Sequence, residues 1–123
     1  MAPASPHVEL LWWAGCPSWP QARQIVRDEM AAAGLDPDRL EMREVRSDET
    51  AAEEGFVGSP TIRVDGRDIQ ETGDQPVGLT CRVYRLRDGR ISALPDPADV
   101  REALRRPGLA NVRPAPEEEE AEG

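Results

Sequence analysis

The run Val8–Trp13, VELLWW, is the feature that most limits what this chain can fold into. The run is nearly all apolar; Pro6 precedes it, and Ala14 and Gly15 follow it. This pattern is typical of a β-strand that is buried on both faces. Such a strand belongs to a parallel or mixed sheet whose two faces are covered by helices. The run therefore predicts an α/β domain.

The clearest helix of the chain follows this strand. Ser18 and Gln21 have the spacing of a capping box, in which the serine hydroxyl accepts a hydrogen bond from a backbone N–H of the first turn. Gly34 marks the other end, because glycine readily takes the left-handed conformation that ends many helices. Ser18 could instead hydrogen-bond a thiolate at Cys16, but capping alone accounts for a serine at this position.

The remaining elements each have a local signal of their own. Alternation of apolar and polar residues predicts a half-exposed strand, and Asp-Gly pairs between short apolar runs predict hairpins. Serine and aspartate open helices because their side chains accept hydrogen bonds from the first turn. The elements are a strand over Leu40–Val45, a helix from Ser47 to Glu54, a hairpin turning at Asp65-Gly66, and a helix opening at Asp96-Pro97. Asp88-Gly89 indicates either an added hairpin or a strand with an irregular return.

Length and charge limit the domain count and the classes of partner. The 123 residues are enough for one modest core, which we predict over residues 7–106, with a disordered N-terminus over residues 1–6 and a disordered acidic tail over residues 107–123. The net charge of −9 argues against nucleic acid and anionic membranes as partners, because both need a basic face. The sequence has neither a secretion signal nor a membrane-spanning run, so the predicted location is cytoplasmic.

Cys16 and Cys81 are the cysteines of the chain, too few for a disulfide scaffold and without the spacing of a metal cage. Cys16 lies between the first strand and the first helix. A helix N-terminus lowers the pKa of a cysteine, whereas burial beneath neighbouring tryptophans such as Trp13 and Trp19 raises it. The sequence leaves the direction of the net shift open.

Two motifs and the order of the elements resemble the thioredoxin-like superfamily. GCP lies at the first strand-to-helix turn, and GFVGSPTIRVDG, residues 55–66, resembles the segment in which a cis proline precedes the third strand. The resemblance implies a mixed four-stranded core sheet with flanking helices, here extended by a C-terminal insertion. Some proteins that share these motifs and the downstream CRVY are labelled alkylmercury lyases by similarity.

The resemblance also implies roles for particular residues. Cys16 matches the attacking cysteine and Pro60 the cis proline, and the backbone of Ser59 would face a bound thiol or peptide. The residues beside Cys16, namely Trp13, Pro17 and Trp19, are then candidate substrate-binding residues, although packing in the core or at its rim also accounts for the tryptophans. Trp19 stands where many family members have the second cysteine of C-x-x-C.

The missing second cysteine leaves the mechanism open. If residues 71–79 bring Cys81 to Cys16, Cys16 attacks a substrate and Cys81 resolves the mixed disulfide. If Cys81 instead faces the core, Cys16 needs an external thiol such as glutathione. We therefore predict a thiol-disulfide oxidoreductase without cofactor or resident metal, acting on a thiol or disulfide of a small molecule or a protein. A non-catalytic binding module and a soft-metal or organomercurial site are the alternatives.

Overall fold

The computed structural model describes residues 6–105 of the chain, and its elements follow the predicted order. They are β1 (Val8–Trp12), α1 (Trp19–Ala32), β2 (Glu41–Glu44), α2 (Asp48–Glu54), β3 (Thr61–Val64), β4 (Arg67–Asp68), β5 (Tyr84–Arg85), β6 (Ile91–Ser92) and α3 (Pro97–Arg105). A single 3₁₀ turn, Pro37–Arg39, precedes β2. None of the helices in this described part is both long and apolar enough to cross a bilayer.

The main sheet has four strands in the order β2-β1-β3-β4. Strand β1 is parallel to β2 and antiparallel to β3, and β3 is antiparallel to β4. The sheet is therefore mixed, as predicted, and β1 lies inside it with a hydrogen-bonded neighbour on each side. Strands β5 and β6 form a separate antiparallel pair.

Strand β1 is buried on both faces, which confirms the interpretation of the apolar run. Leu10 belongs to a core cluster with Val26 of α1 and Val100 of α3. Leu11, which points to the opposite face of the strand, packs in a second cluster with Ala51 of α2 and with Phe56. Helices α1 and α3 thus cover one face of the sheet and α2 covers the other.

Local turn and cap signals account for several element boundaries. Ser47 Oγ accepts a hydrogen bond from the backbone N–H of Thr50 at 3.1 Å and caps α2. At the β3–β4 turn, Asp65 and Gly66 have φ angles of 53° and 83°, as a two-residue hairpin of type I′ requires. Gly34, with a φ of 81°, follows the C-cap of α1.

The predicted disordered termini lie almost wholly outside the described residues. Of the N-terminal segment 1–6, only Pro6 is described, and none of the acidic tail 107–123 is. Both assignments therefore stay predictions. Helix α3 ends in the described part at Arg105, close to the end of the predicted domain.

Candidate functional site

Cys16 lies in the turn between β1 and α1, with its side chain directed inward. Its backbone N–H donates to the carbonyl of Trp13 at 3.0 Å, which closes the turn. A Cβ atom at Gly15 would lie 2.5 Å from the ring of Trp13, so a side chain at residue 15 would require that ring to move. Only 1% of the Cys16 surface is exposed.

Ser18 contacts the thiol of Cys16 and does not cap the helix with its side chain. Residue 18 occupies the N-cap position of α1, but its hydroxyl makes no capping hydrogen bond. Instead Ser18 Oγ lies 3.1 Å from Cys16 Sγ. The predicted capping box with Gln21 is therefore wrong, and the hydroxyl is available to donate to a thiolate.

The Ser59-Pro60 segment forms the other side of the Cys16 environment. The peptide bond between these residues is cis, as the resemblance implies. The Cys16 thiol donates to the carbonyl of Ser59 at 3.3 Å. Ser59 is fully buried, and within the described chain its hydroxyl makes no hydrogen bond of standard geometry. This unpartnered hydroxyl lies near enough to the Cys16 sulfur to lower the pKa of the thiol.

Cys81 reaches this site from the segment of residues 80–84, which we call the Cys81 segment. Cys81 pairs with Ser59 in an isolated parallel β-bridge. The N–H of Ser59 donates to the carbonyl of Thr80, and the N–H of Arg82 donates to the carbonyl of Ser59, each at 2.8 Å. Cys81 itself is exposed. The alternative in which Cys81 faces the core is therefore wrong.

Arg82 anchors the Cys81 segment to the β3–β4 hairpin. Its side chain is 1% exposed, and its guanidinium binds both carboxylate oxygens of Asp68, at 2.7 and 2.9 Å. It also lies over the ring of Tyr84, 4.3 Å from the ring centre. Arg82 also lies very close to Gly58: a Cβ atom added at Gly58 would be 2.9 Å from the Cβ of Arg82. The ion pair between the buried Arg82 and Asp68 therefore holds the Cys81 segment in place.

Tyr84 joins the same segment directly to the proline loop. Its hydroxyl donates to the carbonyl of Pro60 at 2.6 Å, and the residue is almost fully buried. Burial raises the pKa of Tyr84 well above its ordinary value, so the hydroxyl stays protonated and remains a donor. Tyr84 thus sets the distance between the Cys81 segment and the loop that contacts Cys16.

The two thiols have pKa values shifted in opposite directions. Burial raises the pKa of Cys16, but Ser18, the nearby Ser59 hydroxyl and the nearby Cys81 thiol together lower it below its ordinary value of 9.0. For Cys81, burial and the neighbouring Cys16 sulfur both raise the pKa. No hydrogen bond of standard geometry joins the two sulfurs and no disulfide links them, although each is close enough to shift the pKa of the other. Cys16 is therefore the more acidic thiol of the pair and Cys81 the less acidic one.

The residues of the predicted substrate-binding rim differ in their surroundings. The ring of Trp19, the first residue of α1, stacks on Trp12 with ring centres 4.2 Å apart. Trp13 packs against the second core cluster, and Pro17 is exposed. A substrate-binding role for Trp13, Pro17 and Trp19 stays a prediction.

Three potential metal ligands lie together at the other end of β1. Ligand atoms of His7, Glu9 and Glu41 are within 4.8 Å of one another. Arg43 Nη1 lies 3.2 Å from Glu9 Oε2, so a cation at this place would compete with a guanidinium. His7 precedes β1 and Cys16 follows it, so this cluster is remote from the thiols.

Sequence reasoning missed the residues that position Cys81. Arg82 and Tyr84 are buried while Cys81 and Val83 are exposed, a period-two pattern that is visible in CRVY. That alternation indicates an extended segment with one inward face. Nothing in the sequence, however, indicates that Asp68 is the partner of Arg82.

Comparisons with known proteins do not assign this site. No protein-family model matches the chain, and neither the curated proteins nor the solved structures contain a match. The chemistry that the site can perform follows from Cys16, Cys81 and the groups that contact them.

Proposed function

We propose that this protein is a thioredoxin-like thiol-disulfide oxidoreductase in which Cys16 supplies the thiolate and Cys81 is the second redox cysteine. One observation carries the proposal. Two free cysteines far apart in sequence lie beside each other, and the surroundings lower the pKa of one while raising that of the other. A pair of neighbouring thiols, one of them more acidic than the other, is suited to forming and breaking a disulfide.

The reaction moves two electrons from the paired thiols to a substrate disulfide. One cysteine attacks the substrate as a thiolate, a mixed disulfide forms, and half of the substrate leaves as a thiol. The remaining cysteine then attacks the enzyme sulfur of that mixed disulfide and expels the second half. The products are two substrate thiols and a Cys16–Cys81 disulfide, which two external thiols of the glutathione class reduce again.

Hydrogen bonds around Cys16 favour this chemistry over an inert buried thiol. A thiolate at Cys16 can accept hydrogen bonds from the hydroxyl of Ser18, 3.1 Å away, and from the backbone N–H of Ser18 at the start of α1. Donors of this kind stabilise an anion near a helix N-terminus. A buried structural cysteine has no need of such donors.

The arrangement of elements supports the thioredoxin-like assignment. The thiol follows the first strand of a mixed sheet, precedes the longest described helix, and faces a Ser-Pro loop that opens β3. These are the places that the resemblance assigns to Cys16, Ser59 and Pro60. Cys81 takes the part of the cysteine that Trp19 replaces in C-x-x-C.

A disulfide reduction assay tests the proposal. Purified protein, Cys16→Ser and Cys81→Ser are each incubated with glutathione disulfide and with a protein disulfide, and the thiols released are counted. We expect the wild-type protein to release thiols in single-turnover amounts and to end with an internal disulfide, and both variants to fail to form that bond. Release of no thiols by folded wild-type protein would leave the non-catalytic binding module as the better account.

A soft-metal site is the second candidate, and one observation favours it. Cys16 and Cys81 are adjacent and unbonded, as two sulfur ligands of a soft cation must be. A stoichiometric loss of both free thiols on titration with Hg²⁺, without any disulfide reduction in the assay above, would support this role over the oxidoreductase.

A further inference from the structure

The two sulfurs differ in how far solvent can reach them. Cys16 is buried, whereas Cys81 is exposed. Ser18 and Ser59, which contact the Cys16 sulfur, are themselves 8% and 0% exposed. An external thiol or disulfide can therefore reach the cysteine pair at Cys81.

The backbone N–H and carbonyl of Ser59, beside Cys16, already make hydrogen bonds within the chain. The N–H of Ser59 is used by Thr80, and its carbonyl accepts from the N–H of Arg82 and from the Cys16 thiol. A carbonyl oxygen has two lone pairs, so both backbone groups of Ser59 are fully used. A partner peptide would have to displace the Cys81 segment before it could pair with Ser59 and approach Cys16.

The direction of attack reinforces this asymmetry. A thiolate attacks a disulfide sulfur in line with the bond that breaks. In a Cys16–Cys81 disulfide, an external thiolate can come into line with the sulfur of the exposed Cys81 more readily than with the sulfur of Cys16, which lies among the buried residues Ser18 and Ser59. Expulsion of Cys16 is also the easier step, because a thiol of lowered pKa leaves faster.

We infer that external thiols and disulfides exchange at Cys81, and that Cys16 acts behind it as the internal nucleophile and leaving group. This order rests on the proposed function, and it reverses the order that the sequence predicts. An external thiolate attacks the sulfur of Cys81, the Cys16–Cys81 bond breaks, and Cys16 leaves as a thiolate held by its hydrogen bonds. The first external thiol is now joined to Cys81 in a mixed disulfide. A second external thiolate attacks the sulfur of that external thiol, the two external thiols leave as a disulfide, and Cys81 takes a proton from water.

The experiment uses the oxidised wild-type protein and reduced glutathione. After brief exposure and acid quenching, peptide mapping shows which cysteine carries glutathione. The inference predicts glutathione on Cys81 and a free thiol at Cys16. Glutathione on Cys16 with Cys81 free would overturn it. Failure of the wild-type protein to form the internal disulfide at all would overturn the proposed function first, and the inference with it.

Two variants decide the matter if the mixed disulfide does not accumulate. Reduced Cys16→Ser and Cys81→Ser react with glutathione disulfide, and each rate is divided by the thiolate fraction from that variant's own pH titration. We expect Cys81 in the first variant to react at least about tenfold faster than Cys16 in the second, because access differs. Equal rates, or faster reaction of Cys16, would overturn the inference.

Discussion

The two cysteines lie on regions that are held in place by different forces. Cys16 follows β1, whose apolar side chains are buried on both faces of the sheet by three helices. The Cys81 segment belongs to no strand of that sheet and is attached through Arg82, Tyr84 and backbone bonds to Ser59. The position of Cys16 thus depends on many small contacts, and that of Cys81 on a few polar ones. Single substitutions should therefore displace Cys81 while leaving Cys16 in place.

Removal of Asp68 should break the attachment of the Cys81 segment most severely. Asp68→Ala leaves the guanidinium of Arg82 buried without its carboxylate partner, which typically costs roughly 3–5 kcal/mol of stability. We expect a loss of this size in urea unfolding and slower formation of the Cys16–Cys81 disulfide. The exposed Asp74 provides the control, and Asp74→Ala should change stability by less than about 0.5 kcal/mol. Equal effects of the two substitutions would contradict the account.

Loss of one hydroxyl should give a smaller effect in the same direction. Tyr84→Phe keeps the buried ring and removes the hydrogen bond to the carbonyl of Pro60. A buried hydrogen bond of this kind contributes about 1 kcal/mol. Disulfide formation should slow, whereas the pH midpoint for alkylation of Cys16 should stay below 9.0, because Ser18 still lies beside the thiol. A shift of that midpoint above 9.0 would show that the two regions are not separable.

Two serines at helix starts offer a matched comparison of capping with thiol stabilisation. Ser47→Ala removes the cap of α2 and should cost about 1 kcal/mol of stability without changing the alkylation of Cys16. Ser18→Ala removes no capping bond, so its main effect should be a higher pKa of Cys16, seen as slower alkylation at neutral pH. The reverse pattern would restore the capping box that the sequence predicts.

The smallest expected effect is the pH dependence of the reduced protein's stability. Because folding lowers the pKa of Cys16, its contribution is complete above the ordinary value of 9.0 and is lost as the pH falls through the folded value. Because folding raises the pKa of Cys81, its contribution is present below 9.0 and is lost as the pH rises above it. The free energy of unfolding of the wild-type protein should therefore increase as the pH is raised towards 9.0. Urea unfolding across this range should show that this increase is lost in Cys16→Ser.

The contrast between the regions also explains what the sequence could predict. The apolar run of β1, the Asp65-Gly66 turn and the Ser47 cap depend on neighbours in sequence, so local patterns were sufficient for the main sheet. The thiol position of Cys16 followed from the same local order. The capping prediction for Ser18 is wrong because the sequence before a helix is the same whether the serine hydroxyl contacts the backbone or a nearby sulfur.

The placement of Cys81 could not be predicted by the same means. It depends on a buried ion pair between Arg82 and Asp68 and on a hydrogen bond between Tyr84 and Pro60, which join residues far apart in sequence. Such contacts have no periodic pattern in the sequence, because an arginine can pair with any carboxylate that the fold brings close to it. The sequence therefore left open whether Cys81 reaches Cys16.

Mild oxidation of the wild-type protein with diamide tests the central claim most directly. Intact mass and peptide mapping then show where the oxidised sulfur lies. The account predicts a monomer that has lost two hydrogen atoms, with Cys16 joined to Cys81. A dimer linked through the exposed Cys81, or a monomer in which both thiols stay free, would contradict it.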